Sequence, residues 1–175
     1  LLTATDLDTA KTLANELEKT NQERKEIQEE TFLEAESLLR NERDLESERV
    51  IVLASEIFHP GVIGIAASKI VDTYHRPTVL IALEEGIGKG SGRSIPKFNL
   101  FKAFTNCSSH LIQFGGHAYA AGLSIAEENI DAFRDAMNEA GHQYLTDEDL
   151  IPEIKLDTTL DLSQINFPFY KSIAL

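Results

Sequence analysis

The sequence predicts an α/β fold: a mixed sheet of about five strands with helices on both faces, preceded by a long connector helix. Three observations predict it. The opening stretch from Asp6 to Arg40 contains neither Gly nor Pro. Residues 49–83 read strand, helix, strand. Beyond them, glycine-punctuated segments lead to a second helical pattern that starts near Glu127.

In the opening stretch Leu, Ala, Glu, Lys and Gln dominate, all good helix formers. Ala10, Leu13, Leu17, Ile27 and Leu38 form a broken apolar stripe. A helix of about 35 residues spans roughly 50 Å. The stripe thins at Thr20, Asn21 and Arg24, which predicts a helix that bridges bodies rather than one sunk in a core. A homomeric coiled coil is the alternative, and the interrupted seam disfavours it.

Arg49 to Ala54 is a β-branched run of the kind found in buried strands. His59-Pro60-Gly61 breaks it, and Ile63, Ala66, Ala67, Ile70 and Val71 then fall at helical spacing. Pro77 opens a second apolar run, Thr78–Leu83. Strand, helix and strand in this order predict two parallel strands with a right-handed crossover. A third strand is expected over Gly88–Ile95. Short helices are expected around Asn99–Thr105 and Ser108–Phe114, a strand near Ala121–Ile125, and a helix over about Glu127–Tyr144. Ile154–Asp157 reads as one more strand, opening a further unit.

The chain has 175 residues, 42% hydrophobic and 26% charged, as expected of a globular domain. No apolar stretch approaches the roughly 20 residues that cross a bilayer, so no membrane partner is expected. No signal segment is evident at the start. Cys107 is alone, which excludes an internal disulfide framework and fits a reducing, cytoplasmic setting. An opening Leu1-Leu2 without Met is expected of a segment from a longer protein.

A net charge of −13 argues against nucleic acid when spread over the whole chain. It is not spread evenly. Residues 1–49 hold 14 acids and 7 bases, and residues 126–175 hold 11 acids and 3 bases. Residues 50–125 hold 4 acids, 6 bases and four of the five histidines. The middle is the part suited to an anionic ligand.

Three segments there are candidates for chemistry. His59-Pro60-Gly61-Val62-Ile63-Gly64 lies between the first strand and its helix, where open parallel sheets bind ligands and a helix start offers amides to an anion. From spacing alone, a plain turn with a histidine beside it is the stronger reading. Gly86 to Ser94 carries glycines at 86, 88, 90 and 92, so one strand face is bare and open to a backbone or ligand. Ile87, Lys89, Ser91 and Arg93 take the other face, and a plain Gly-rich hairpin is the alternative. This segment is neither a P-loop nor a dinucleotide fingerprint. Phe114 to Gly122 surrounds His117 with small residues, which suits either a phosphate contact or a histidine satisfied in a core. His59, His75, His110, His117 and Cys107 lack zinc-ligand spacing. Neither Ser94 nor Cys107 has an adjacent base.

Together, His59-Pro60-Gly61-Val62-Ile63-Gly64-Ile65, Gly90-Ser91-Gly92-Arg93-Ser94-Ile95-Pro96 with Phe98-Asn99-Leu100, and Gly115-Gly116-His117 with Ala120-Ala121-Gly122 resemble the RecJ-type single-stranded-DNA exonucleases. The likeness is to the DHH-associated domain of that branch of the DHH phosphoesterase superfamily. It implies an organisation of connector helix (1–48), DHH-associated α/β domain (49–150) and the start of a truncated OB-fold domain (151–175).

The resemblance further implies 5′-to-3′ digestion of single-stranded DNA in repair and recombination. It implies Mn2+ or Mg2+ held by a separate catalytic DHH domain, whose Asp-His-His motif is absent here. The implied partners are single-stranded DNA and the DHH and OB-fold domains of the same polypeptide. No cofactor, metal ligand or catalytic residue is expected within this chain, and the chain alone is expected to be inactive. His117 is the one candidate for stabilising charge on a scissile phosphate. The substrate contacts implied are Arg93, Ser94, Gly115, Gly116, His117, Gly122 and Ser91, with His59 and Gly61 behind them. Alternatives are a relative acting on short oligonucleotides or cyclic dinucleotides, and a non-catalytic interaction module.

Overall fold

The computed structural model of the chain describes residues 1–173. In chain order the elements are α1 (Leu7–Glu42), β1 (Ile51–Ser55), α2 (Ile63–Tyr74), β2 (Thr78–Glu84) and β3 (Ile87–Arg93). They continue with α3 (Leu100–Asn106), β4 (Gln113–Gly116), β5 (Ala120–Ala126), α4 (Ile130–Tyr144) and α5 (Phe167–Ile173). The sheet order is β1-β2-β3-β5-β4. β1 and β2 are parallel across the α2 crossover, and every other pair is antiparallel.

Local chemistry sets the boundaries. Asp6 caps α1 by accepting the Thr9 amide at 2.8 Å. That hydrogen bond lowers the Asp6 carboxyl below its usual range. α2 ends at His75 in the left-handed region (φ 49°), just before Arg76-Pro77. Glu85 (φ 50°) and Gly86 (φ 78°) give the β2–β3 hairpin its two-residue turn, of the type whose twist matches paired strands.

Period-two alternation divides the sheet into two apolar layers. Val50, Val52, Val79, Ile81, Leu123 and Ile125 pack beneath α3 and α4, where Phe104 and Phe133 meet edge to face. Ile51, Leu53, Leu80 and Ala82 pack on the other face against Ile63, Ala66, Ala67 and Ile70 of α2. Helices therefore lie on both faces, but α2 reaches only as far as β3.

The last third of α1 docks here too, through Phe32, Ala35 and Leu39. Lys69 of α2 sits 3.8 Å from the Phe32 ring centre and bonds Glu29 at 2.7 Å. The expected stripe is corrected: Leu17 and Ile27 are exposed, and Thr31, Phe32, Ala35 and Leu39 form the packing face. The helix is exposed over its N-terminal part and belongs to the body at its C-terminal end.

β1 is an edge strand, and α4 seals it. Asn138 accepts the Val50 amide at 3.1 Å and donates to the Val50 carbonyl at 3.0 Å. Arg134 donates to the Val52 carbonyl at 3.0 Å. These side chains satisfy backbone groups that a neighbouring strand would otherwise seek.

Two expectations fail. The helix expected over Ser108–Phe114 is one 3₁₀ turn at Ser108–His110, followed by β4. Pairing with β5 draws Gln113–Gly116 into extended backbone despite the weak strand propensity of glycine. Residues 154–157 form no strand either; Ile154 is 87% exposed, without a sheet edge to join. The segment before them is tied down. Lys97 donates to Asp149 at 2.6 Å, and Thr146 donates its amide and hydroxyl to the same carboxylate. The Lys97 bond, followed by those from Thr146, holds that carboxyl down to about 2.

Candidate functional site

Gly88, Gly90 and Gly92 of β3 turn toward the α3–α4 layer. That face is not bare. A Cβ on Gly88 would lie 2.5 Å from Ile81 Cγ2, and one on Gly90 would lie 2.8 Å from Leu123. Leucines and isoleucines of the adjacent strands lean over these glycines, so the space expected for a ligand is core packing.

The open surface is the opposite face of β3, β5 and β4. Register aligns three rows of residues across it. Arg93 is level with Ala120, and the His117 amide donates to the Ala120 carbonyl at 2.8 Å. Ser91, Gly122 and Gly115 form the next row, and Lys89, Ser124 and Gln113 the third. β5 thus supplies a floor of Ala120, Gly122 and Ser124, the smallest side chains available. The flanking strands supply larger walls at both ends. The gutter is two strand spacings wide, about 10 Å, and about 13 Å long from Arg93 to Lys89.

Its middle is unobstructed. A Cβ on Gly115 would meet nothing within 4 Å, and one on Gly122 would meet only the Gly90 carbonyl at 3.6 Å. Gly116, next in the chain, has a different reason to be glycine. Its φ is +139°, and a Cβ there would lie 2.5 Å from the Ala120 carbonyl oxygen.

Arg93 is pre-oriented. Its Nη1 donates to the Gly92 carbonyl at 2.8 Å and to Ser91 Oγ at 3.1 Å. Its Nη2 lies against the first turn of α2, 2.8 Å from where a Gly64 Cβ would be. Gly64 is therefore what lets α2 close on Arg93. Among the described residues, neither Arg93 nor Lys89 pairs with a carboxylate. Arg93 therefore presents an unpaired cation to this surface. Lys89, also without an ion pair, stands where the gutter meets the side of the sheet that carries Glu56, Glu84 and Glu85.

The remaining sequence candidates are placed as follows. His117 is exposed, so it is not a core histidine. Ser94 donates its hydroxyl to the Phe98 carbonyl at 2.7 Å, shaping the loop after Arg93. His59 and Gly61 lie at the entry to α2, where three of the amides expected to be free are taken. Gly61 donates to His59 Nδ1 at 3.1 Å, and Val62 and Ile63 donate to the His59 carbonyl. The bond to Nδ1 makes this nitrogen the acceptor, so the neutral ring carries its proton on Nε2.

His59 also lines a cleft of about 580 Å³ at the carboxyl ends of β1 and β2, with Glu56, Glu84, Glu85 and Lys89. Three glutamates make it a poor phosphate site. Among the described residues, no three His, Cys, Asp or Glu side chains converge on a point that would hold a metal ion. No described helix is long and apolar enough to cross a membrane.

Sequence reasoning missed Ser124 and Gln113. Their place in the gutter depends on β4 being a strand, and period-two alternation through Gly115 was the signal that would have found them.

An α/β sheet sealed by helices on one face and left as a cation-flanked gutter on half of the other defines the class of domain. The chain belongs to the DHHA1 domain family, whose model matches residues 47–142. It is 37% identical over 167 residues to the single-stranded-DNA-specific exonuclease RecJ of Bacillus subtilis (strain 168), covering 94% of this chain and 21% of that protein. It is 38% identical over 173 residues to the same-named exonuclease of Haemophilus influenzae, covering 95% of this chain and 30% of that one. The crystal structure of RecJ in complex with Mg2+ from Thermus thermophilus superimposes with a TM-score of 0.83 at 27% identity. That match covers 98% of this chain and 26% of the other. The chain thus spans less than a third of the length of these relatives.

Proposed function

We propose that this chain is the substrate-gripping part of a metal-dependent 5′-to-3′ single-stranded-DNA exonuclease that acts in DNA repair and recombination. In this reading residues 1–48 connect it to a catalytic DHH domain that holds the Mn2+ or Mg2+. Residues 49–150 grip the strand, and residues 151–175 open an OB-fold domain. In this reading the metal ligands belong to the DHH domain, so the gripping part alone is expected to be inactive.

The observation that carries the proposal is the gutter. An extended strand fits a floor of Ala, Gly and Ser, and its phosphates are met from the walls. A phosphodiester above the Ala120 methyl group has the Arg93 guanidinium on one side and His117 on the other. Arg93 commits Nη1 to Ser91 and Gly92, which fixes the fork and leaves Nη2 and Nε for phosphate oxygens. His117 adds a donor where charge develops during cleavage. Ser94 and Gly116 hold the two loops that present these groups. His59 and Gly61 stiffen the turn that brings Gly64 against Arg93. The gutter runs along the strand direction with nothing standing over Gly115 or Gly122, which favours an extended polymer over a cyclic dinucleotide.

Arg93→Ala in the full-length polypeptide is the test. Removing one phosphate contact should weaken single-stranded-DNA binding and lower the slope of log affinity against log salt by about 0.7. Binding and slope both equal to the parent protein's would sink the proposal.

A further inference from the structure

The gutter has two polar ends, and the proposed function uses one. At the other end Lys89, Ser124 and Gln113 stand level across β3, β5 and β4. Lys89 and Gln113 are exposed, and Ser124 is half-buried between them. Lys89 makes no ion pair among the described residues. It borders the glutamate-lined cleft on one side and the gutter on the other, and only the gutter side is free of carboxylates in its row. Arg93 and Lys89 share a face of one strand, with only Ser91 between them, so their backbones are about 13 Å apart. Across that gap the floor is Gly122 and the far wall is Gly115, and neither carries a side chain. A nucleic-acid backbone that enters at Arg93 meets nothing that would turn it before Lys89.

We propose that Lys89, Ser124 and Gln113 form a second nucleotide-binding station, which holds a phosphate further along the same strand than the one at Arg93 and His117. The inference rests on the proposed function and extends it. Lys89 supplies a mobile ammonium for a phosphate oxygen, without the fixed fork of Arg93. The Ser124 hydroxyl and the Gln113 amide each donate and accept, so they suit sugar oxygens and base edges. Division of labour follows: the Arg93 end fixes geometry, and the Lys89 end adds grip and sets how many nucleotides the domain needs. A strand too short to reach Lys89 is held by one station only.

The test is a methylphosphonate scan on the full-length polypeptide. One phosphate at a time is made neutral along a single-stranded oligonucleotide, and affinity is measured for the parent protein, Lys89→Gln and Arg93→Gln. The parent should show two separate sensitive positions. Lys89→Gln should erase one of them and lower the salt slope by about 0.7, while Arg93→Gln should erase the other. Gln113→Ala and Ser124→Ala should each weaken binding by about two- to tenfold, the worth of one hydrogen bond. A scan that Lys89→Gln leaves unchanged, while Arg93→Gln alters it, overturns the second station and leaves the gripping role intact. A scan that neither variant alters overturns both.

Discussion

Gly88, Gly90 and Gly92 on β3, and Gly115 and Gly122 on the neighbouring strands, are alike in sequence and opposite in use. The first set is overhung by Ile81, Ile125, Leu123 and Leu100, so its missing side chains are space that the core fills. The second set faces nothing within ordinary contact range apart from one carbonyl, so its missing side chains are access. A glycine on a strand thus marks a close approach. Whether a hydrophobic neighbour or a ligand makes that approach depends on which face the helices cover.

Substitutions can break or sharpen this contrast. The largest effect belongs to Gly116, which sits between the two sets and answers to neither rule. Gly116→Ala puts a side chain at φ +139° and against the Ala120 carbonyl, where backbone cannot yield. It should cost on the order of 3 kcal/mol in denaturant unfolding. A loss below about 1 kcal/mol would show that the β4–β5 turn relaxes.

Gly88→Ala comes next, at about 1–3 kcal/mol, because its methyl group overpacks Ile81 and Ile125. Cys107 reports on the same layer. Burial, reinforced by the charge of Glu139, pushes its thiol up to about 11, so at neutral pH it should resist alkylation while the layer is tight. Alkylation should speed up in Gly88→Ala. Unchanged melting and alkylation would mean that this face has slack.

The smallest effect on stability is expected of Gly115→Val and Gly122→Val, within about 0.5 kcal/mol, since both positions face open space. Their effect should appear in single-stranded-DNA binding, which a branched side chain on the floor or wall obstructs. Unchanged melting with weakened binding confirms access as their purpose. A large loss of stability would put them with the packing glycines.

Much of the fold was readable, and the unread parts have physical reasons. The β-branched runs around residues 50 and 80, separated by Ile63–Val71 at helical spacing, identify the parallel pair and its crossover. β4 was not readable, because Gly115 and Gly116 carry no strand propensity and become extended only through β5. The docking face of α1 was misjudged for a similar reason. Phe32, Ala35 and Leu39 are no more apolar as a set than Leu17 and Ile27, and it is α2 that selects them. Within the site, Arg93, Ser91, His117, Gly115 and Gly122 were legible as a motif. Their arrangement in rows was not, since register is a property of paired strands rather than of one.

The 36-residue α1 is about 54 Å long, and among the described residues its first hydrogen bond to the body is the one that Glu29 accepts from Lys69. The 22 residues from Leu7 to Gln28 project about 33 Å beyond that footing. Such a helix is a lever. A tilt of about 10° at the Phe32–Leu39 fulcrum swings its tip by about 6 Å. Small adjustments in one apolar contact therefore translate into large displacements of the helix tip, while the sheet stays still.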